Sequence, residues 1–184
     1  MNAINFLDIL DGLAAGVSAI CSATFLYISF RTGNTTTGIL CAALLGSNLA
    51  FLRFNKSPAH LYMGEMGSFL NGISLAVIAV MLGYATLGRE SALFVPLLIL
   101  ALPLLDLGYV VFRRWKLRKP LSQKSRDHLV LCWVDAGIPC RRVIARMVGL
   151  NLLWCFAAVL LFHAFTTVSL LCAVFAIGLW VRWK

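Results

Sequence analysis

Hydrophobic segments long enough to cross a membrane alternate with short polar segments along the whole chain. A spanning helix needs about 20 mostly apolar residues, and the pattern predicts six such helices. They are expected at residues 13–30, 37–52, 68–87, 92–112, 147–164 and 166–181. The second and the last are short, which fits a tilted or locally thinned setting as well as a full span. The predicted fold is an all-α polytopic integral membrane bundle in which residues 1–184 form a single domain.

The composition supports a lipid-embedded protein. Hydrophobic residues make up 61% of the 184 and charged residues 12%, whereas soluble domains carry roughly a quarter charged residues. Two aspartates and no basic residue precede the first apolar segment, so we expect that segment to remain in the protein instead of acting as a cleaved signal peptide. The six cysteines include no close CxxC pair and are interpreted as small buried side chains.

The distribution of Lys and Arg predicts the orientation in the membrane, because basic residues near span ends are retained in the cytoplasm. With the N-terminus inside, only Arg31 and Arg89 of the 16 basic residues fall outside. Both termini are therefore expected in the cytoplasm, in a multi-pass protein of the inner or plasma membrane. The net charge of +9 does not indicate nucleic-acid binding, because it gathers between apolar segments. The predicted cytoplasmic segments are residues 1–12, 53–67 and 113–146.

The first cytoplasmic segment carries a repeated polar pattern. Asn2, Asn5, Asp8 and Asp11 recur at every third residue and would form a polar stripe on a helix. Two carboxylates one turn apart, with neighbouring carboxamides, suit an oxygen-liganded cation such as Mg²⁺ or a base beside a phosphate. An exposed helix start, where the helix dipole favours Asp, explains the same residues. The spacing alone leaves both interpretations open.

The second segment places an acid between two glycines, directly before a predicted helix. Glycine-rich backbone at a helix N-terminus binds anions, and Glu65 is placed to hold a metal that bridges to such an anion. Lys56 and His60 could add contacts to a phosphate. An ordinary turn capped by Ser68 is the alternative.

The third segment is strongly basic and contains Arg126 and His128. It could hold a diphosphate or an anionic lipid headgroup, although most of its charge is explained by the orientation signal alone. Asp106 lies within the predicted fourth span, where a charge costs about 2.5 to 3.5 kcal/mol. We expect it to have a polar partner or an aqueous cavity, or to reach the cytoplasm two turns away at Arg113.

Longer motifs resemble a known family. Residues 2–14 nearly match the pattern NxxNxxDGxDGLA, with Ile9 in place of its first glycine. Phe54–Ser68 nearly match FNxxPAxxFMGDxGS, with Glu65 where Asp is usual and Tyr62 where the pattern has Phe, and the sequence VPLLILALPLLD resembles the span before the family's last large loop. On these motifs the chain resembles the C-terminal half of the polyprenyl-phosphate N-acetylhexosamine-1-phosphate transferases, with most similarity to the branch that transfers GlcNAc-1-phosphate.

The resemblance implies a reaction and a set of residue roles. A polyprenyl phosphate would attack the β-phosphate of a UDP-N-acetylhexosamine, with Mg²⁺ required and UMP released. Asp8 and Asp11 would be the catalytic or metal-proximal acids, and Asp8 and Glu65 the metal ligands. The residues expected to contact substrate are Asn2, Asn5, Lys56, His60, Arg126 and His128, of which His128 would be the first histidine of the family's HxHH motif.

The departures from the family pattern point to a split or truncated enzyme. The family's N-terminal half, with its Asp-Asp pair, has no counterpart in the chain, and Val130 and Leu131 replace two histidines while Ser125 replaces an acid. We expect the isolated chain to be inactive and to need an N-terminal half chain, or to act as a homo-oligomer. The alternative is a non-catalytic relative that binds polyprenyl phosphate or a partner membrane protein. A transporter is less favoured, because no inverted repeat is visible.

Overall fold

The computed structural model describes residues 2–82, 94–118, 128–163 and 166–182, and these residues form α-helices and no β-strand. The helices are α1 (Asn2–Leu7), α2 (Leu13–Thr32), α3 (Thr35–Asn55), α4 (Gly64–Met81), α5 (Val95–Ile99), α6 (Ala101–Lys116), α7 (Leu129–Asp135), α8 (Cys140–Phe162) and α9 (Thr166–Arg182).

Four of these helices are long and apolar enough to cross a membrane, namely α2, α3, α4 and α8. The apolar part of α9, Leu171–Arg182, is shorter. These helices confirm the predicted all-α membrane fold. The number of spans and the side on which each terminus lies stay predictions.

Helix α2 is the centre of the bundle. It packs against α3, α4, α5 and α8, and 67% of its most apolar 18-residue stretch is buried, against 17% for α3. A helix that is apolar on all sides is suited to such a central position. Gly33 ends α2 in the left-handed conformation, with φ of 69°, and its N–H bonds to the carbonyl of Phe30. The chain then reverses into α3, which is mostly exposed and suited to face lipid.

The predicted fourth span is wrong as a single helix, because the described part of it breaks into α5 and α6. Pro103 has no N–H to offer the carbonyl of Ile99, four residues earlier, and its ring crowds that carbonyl. The thiol of Cys21 in α2 donates to this carbonyl instead, at 3.2 Å. The side chain of Asn151 in α8 also contacts the Cys21 thiol, and its amide nitrogen donates to the carbonyl of Val17 at 3.4 Å. The break in the helix therefore joins α5 to the centre of the bundle.

One end of the bundle collects the polar segments. Helices α2 and α8 begin there, α3 and α6 end there, and α1, α7 and residues 56–63 lie beside them; we call it the polar end. Arg31 lies at the opposite end, in the last turn of α2. The basic residues in the helix ends and segments at the polar end are Arg53, Lys56, Arg113, Arg114, Lys116, Arg118, Arg141, Arg142 and Arg146.

Helices α3 and α4 are joined by a hydrogen bond between two carboxamides. The side chain of Asn48, which is 2% exposed, donates to the Asn71 side chain at 2.7 Å. The same amide nitrogen also donates to the carbonyl of Leu44 at 2.8 Å. Because a lipid environment offers no water to replace such bonds, the contact should stabilise the pairing of the two helices.

Replacement of Asn48 by leucine should lower the free energy of unfolding by about 0.5 to 1.5 kcal/mol, the range measured for such bonds in membranes. Unfolding in mixed micelles of increasing SDS content, followed by tryptophan fluorescence, measures the change. Ser47→Ala is the matched control, because the exposed Ser47 hydroxyl donates to the carbonyl of Leu44 within the same helix. Equal losses for the two variants would contradict the interhelical role of Asn48.

Candidate functional site

The two acids of the first segment lie on a turn. Helix α1 ends at Leu7, and the N–H of Asp8 bonds to the carbonyl of Asn5 at 3.2 Å. Gly12 then adopts φ of 79°, which favours glycine, and α2 begins at the next residue. The polar stripe depended on a helical segment, and this condition is not met beyond Leu7, because Asp8 and Asp11 lie outside helical geometry. The turn displays both acids at the polar end.

Asn55 attaches this turn to the loop of residues 56–63. Its side-chain oxygen accepts from the N–H of Gly12 at 2.8 Å, and its nitrogen donates to the carbonyl of Leu61 at 2.8 Å. Asn55 is 2% exposed, so both bonds are shielded from water. Asp11 makes a further link, because its Oδ2 accepts from the N–H of Ala59 at 3.1 Å. The first and second predicted cytoplasmic segments therefore meet in the structure.

A second link joins α1 to α4. The Ser68 hydroxyl donates to the side-chain oxygen of Asn5 at 2.9 Å. Ser68 is buried in α4, one turn after Glu65, which is exposed in the first turn of the same helix. The contact brings the start of α4 to the acidic turn. Glu65 and Asp8 therefore belong to the same end of the bundle.

The electrostatics of the turn disfavour two ionised carboxylates. Burial raises the pKa of Asp8 above its ordinary value of 3.8, and the nearby charge of Asp11 raises it further. A hydrogen bond from the backbone of Gly64 acts in the opposite direction and favours the ionised form. A proton or a cation at this position relieves the repulsion.

The acids fit a magnesium site that is completed by other ligands. In the described ranges, no three side chains of His, Cys, Asp and Glu gather closely enough to hold a metal ion. Mg²⁺ commonly uses only one or two protein carboxylates, together with water and substrate phosphates. Asp8 accepts a hydrogen bond from the backbone of Gly64, the neighbour of Glu65, so these two predicted ligands would provide such a partial set. The predicted Mg²⁺ stays a prediction.

A cavity of about 700 Å³ opens beside the acidic turn, between α2, α3 and α8. Asp11, Lys56, Ser57 and Arg141 line its polar part. The rest of the lining is small or apolar: Gly12, Gly16, Ala19, Ile20, Leu49, Leu52, Ile144 and Val148. Apolar walls with charged groups at one end suit an amphiphile that has an anionic head.

The other predicted site residues lie in different surroundings. Asn2 and His60 are exposed at the polar end. His128 is buried, and its ring packs edge-on against Phe6 of α1, with 5.2 Å between the ring centroids. The third segment therefore also reaches α1. Arg126 lies outside the described residues.

The sequence patterns did not identify three residues of the candidate site, which are Asn55, Ser57 and Arg141. Asn55 belongs to the matched FN motif but was not singled out, and a buried carboxamide at the end of a helix is the signal that marks it. Ser57 lies between Lys56 and Pro58 in the loop, and nothing in the sequence distinguishes it from an ordinary loop serine. Arg141 was counted only as part of the orientation signal, because nothing in the sequence separates it from the other basic residues.

Comparisons with known proteins agree with the motifs. The family model described as Glycosyl transferase family 4 matches residues 1–83. A probable undecaprenyl-phosphate N-acetylglucosaminyl 1-phosphate transferase of Bacillus subtilis is 33% identical over 128 residues, which cover 70% of this chain and 36% of that protein.

Two further relatives match a shorter stretch. They are the phospho-N-acetylmuramoyl-pentapeptide-transferases of Limosilactobacillus fermentum and Clostridium perfringens, at 42% and 43% identity over 81 residues. These matches cover 44% of this chain and 25% and 26% of the two relatives. The chain thus spans between 25% and 36% of the length of these three proteins.

Replacement of Asp8 by asparagine should stabilise the protein at pH 7. Burial raises the pKa of Asp8, so the stability that its protonated form provides is complete below pH 3.8 and is lost as the pH rises through the raised value. The asparagine side chain of the variant stays neutral throughout. The stability difference between the two proteins should therefore be near zero below pH 3.8 and grow with pH.

Thermal unfolding between pH 3.5 and 8, in buffer with EDTA, measures this difference. Ser47→Ala changes no titratable group and should keep the wild-type pH dependence. An Asp8→Asn protein that is less stable than the wild type at pH 7 would show that the carboxylate is favoured by its surroundings.

Proposed function

We propose, from the membership of residues 1–83 in glycosyl transferase family 4, that this chain forms part of a membrane phospho-sugar transferase. The membership agrees with the resemblance seen in the motifs. The proposed reaction transfers N-acetylhexosamine-1-phosphate from a UDP-sugar to a polyprenyl phosphate, in the synthesis of a cell-envelope glycan. It would take place at the polar end of the bundle, on the cytoplasmic face of the plasma membrane.

The observation that carries the proposal is the position of the acidic turn at the mouth of the apolar cavity. Asp11 lines this cavity together with Lys56 and Arg141. The apolar walls suit a prenyl chain, and the two cations suit the phosphate at its end. A phosphate held by the cations would lie beside Asp11, and Asp8 belongs to the same short turn.

The chemistry required is mostly positioning and neutralisation of charge. An oxygen of the polyprenyl phosphate attacks the β-phosphorus of the UDP-sugar, and the bond from that phosphorus to the bridging oxygen breaks. UMP leaves with the bonding electron pair. Asp11 is the proposed base that takes a proton from the attacking phosphate. Asp8 and Glu65 would hold Mg²⁺, whose charge would neutralise the diphosphate.

The active form is proposed to contain more than this chain. The named activities belong to relatives of which the chain covers 36% or less. We propose that a segment corresponding to the N-terminal part of the relatives, on this chain or on another, supplies the remaining acids.

Co-expression with the part of the Bacillus subtilis relative that precedes the matched region tests the proposal. Membranes that contain both chains, given UDP-GlcNAc, undecaprenyl phosphate and Mg²⁺, should release UMP above the level of either chain alone. Asp8→Asn or Asp11→Asn should lower the rate about 100-fold or more, as loss of a catalytic acid or base does. EDTA should abolish the activity and added Mg²⁺ restore it.

Asp135→Asn is the control, because Asp135 is an exposed acid at the end of α7. It should keep the wild-type rate. Absence of UMP release from well-folded co-expressed chains would overturn the enzymatic proposal. The non-catalytic alternative would then be favoured if lipid binding were intact.

Binding of polyprenyl phosphate to the isolated chain is a separate prediction. Lys56→Ala and Arg141→Ala should each weaken binding about fivefold, since a basic residue near an anionic headgroup contributes about 1 kcal/mol. Native mass spectrometry or fluorescence titration in detergent measures the affinity. Arg31→Ala, at the opposite end of α2, removes the same type of charge and should leave binding unchanged. Equal losses for all three variants would mean that the cavity is not the site.

A further inference from the structure

Asp106 is a buried carboxylate without a hydrogen bond to any residue that the structure describes. Its side chain in α6 is 0% exposed, and both of its oxygens lack a hydrogen-bond partner among those residues. A carboxylate removed from water without a partner is unfavourable by several kcal/mol, so such residues in membrane proteins are commonly paired or functional. The full burial excludes an Asp106 side chain that reaches the aqueous boundary, which was one of the outcomes expected from the sequence.

His128 provides the complementary group. Within the described part of the chain its Nδ1 atom is also buried and without a hydrogen-bond partner, and it lies 3.8 Å from Oδ2 of Asp106. This separation is within the reach of an ion pair and about 1 Å longer than a hydrogen bond. A hydrogen-bond acceptor, the Asp106 carboxylate, thus faces a nitrogen of His128 that can donate. A movement of about 1 Å by either side chain would form a hydrogen bond between them.

Asp106 and His128 lie next to α1, the helix that precedes the acidic turn. Leu102, Asp106, Val110 and Arg114 recur every fourth residue, so they share one buried face of α6. That face packs on α1, where the guanidinium of Arg114 lies 5.8 Å from the centre of the Phe6 ring. The His128 ring packs on the same phenyl ring.

We infer that Asp106 is a positioning residue for His128, holding its imidazole as the Nδ1–H tautomer by accepting that proton in a hydrogen bond. A neutral imidazole has one N–H, so this bond leaves the lone pair on Nε2. Nε2 is then the nitrogen available to a phosphate group at the polar end. This last step rests on the proposed function, whereas the choice of tautomer does not.

Nitrogen NMR of the full chain in nanodiscs, labelled with ¹⁵N-histidine, tests the inference directly. The chain has three histidines, so His60→Gln, His128→Gln and His163→Gln assign every signal. Above the titration range of histidine, His128 should show a protonated Nδ1. A wild-type His128 protonated at Nε2 would overturn the inference, without the need for any variant.

Asp106→Leu removes the acceptor and should abolish the preference of His128 for the Nδ1–H form. Loss of one partner of a buried pair is strongly destabilising when it leaves a charge behind, but the imidazole left by this variant is neutral. The wild-type tautomer remains the test if the variant does not fold. His163 is the internal control: its Nε2 lies 2.9 Å from the Tyr27 hydroxyl at the opposite end, and its signals should not change. An unchanged His128 tautomer in a folded Asp106→Leu protein would contradict the inference.

The co-expressed enzyme gives a second readout. Asp106→Leu should lower kcat about tenfold or more, as loss of a group that orients a histidine typically does, with little change in KM. In a His128→Gln background the same substitution should cost less than about twofold, because the two residues act as one unit. Fully additive losses would overturn the positioning role. Absence of activity in every variant, with the NMR result intact, would count against the proposed reaction alone.

Discussion

The hydrogen bonds of Asn55 hold the acidic turn against the loop that follows α3. The turn contains Gly12 in a left-handed conformation, so its backbone N–H is not used by a helix and points to the Asn55 oxygen. The same carboxamide donates to Leu61, which sets the path of the loop. Asp11 and Lys56 are brought to one cavity as a result. Without this buried contact, the acids and the cations would belong to two independent segments.

Inside the bundle, polar groups are arranged by the need to find partners where water is absent. The carbonyl of Ile99, to which Pro103 cannot donate, is used by Cys21 of another helix. Asn48 similarly joins α3 to α4. Helix–helix contacts in lipid gain little from the hydrophobic effect, so a few such bonds decide which helices pack together.

The distribution of charge links this architecture to the proposed chemistry. Acids that repel one another and cations that line an apolar cavity lie at the same end of the bundle. A phosphate carried on a long apolar chain, with a divalent cation, would satisfy both sets of charges at once. The buried pair of Asp106 and His128 extends the polar region behind α1, where burial shields it from solvent.

Much of the fold follows from local properties of the sequence. Spans were predicted from hydrophobic length, and α2, α3, α4 and α8 agree with four of them, although α8 begins seven residues before its predicted start at residue 147. The first turns of α8 contain Arg141, Arg142 and Arg146, so a prediction from hydropathy alone placed the start of this helix too late. The broken fourth span was missed because a proline inside a membrane helix is tolerated where neighbouring groups satisfy the freed carbonyl. Whether Pro103 interrupts this helix depends on whether another group donates to the carbonyl of Ile99, as the thiol of Cys21 does.

The motifs also indicated candidate residues for the site, among them Asp8, Asp11 and Glu65, whose roles stay predictions. They did not show that the acids lie on a turn, that Asn55 anchors that turn, or that Arg141 joins Lys56 at the cavity. Hydropathy and motif spacing are properties of neighbours along the chain, so the sequence by itself determined the helices and the chemistry available. The meeting of residues 43 to 130 positions apart arises only from helix packing, and the tertiary structure alone decided it.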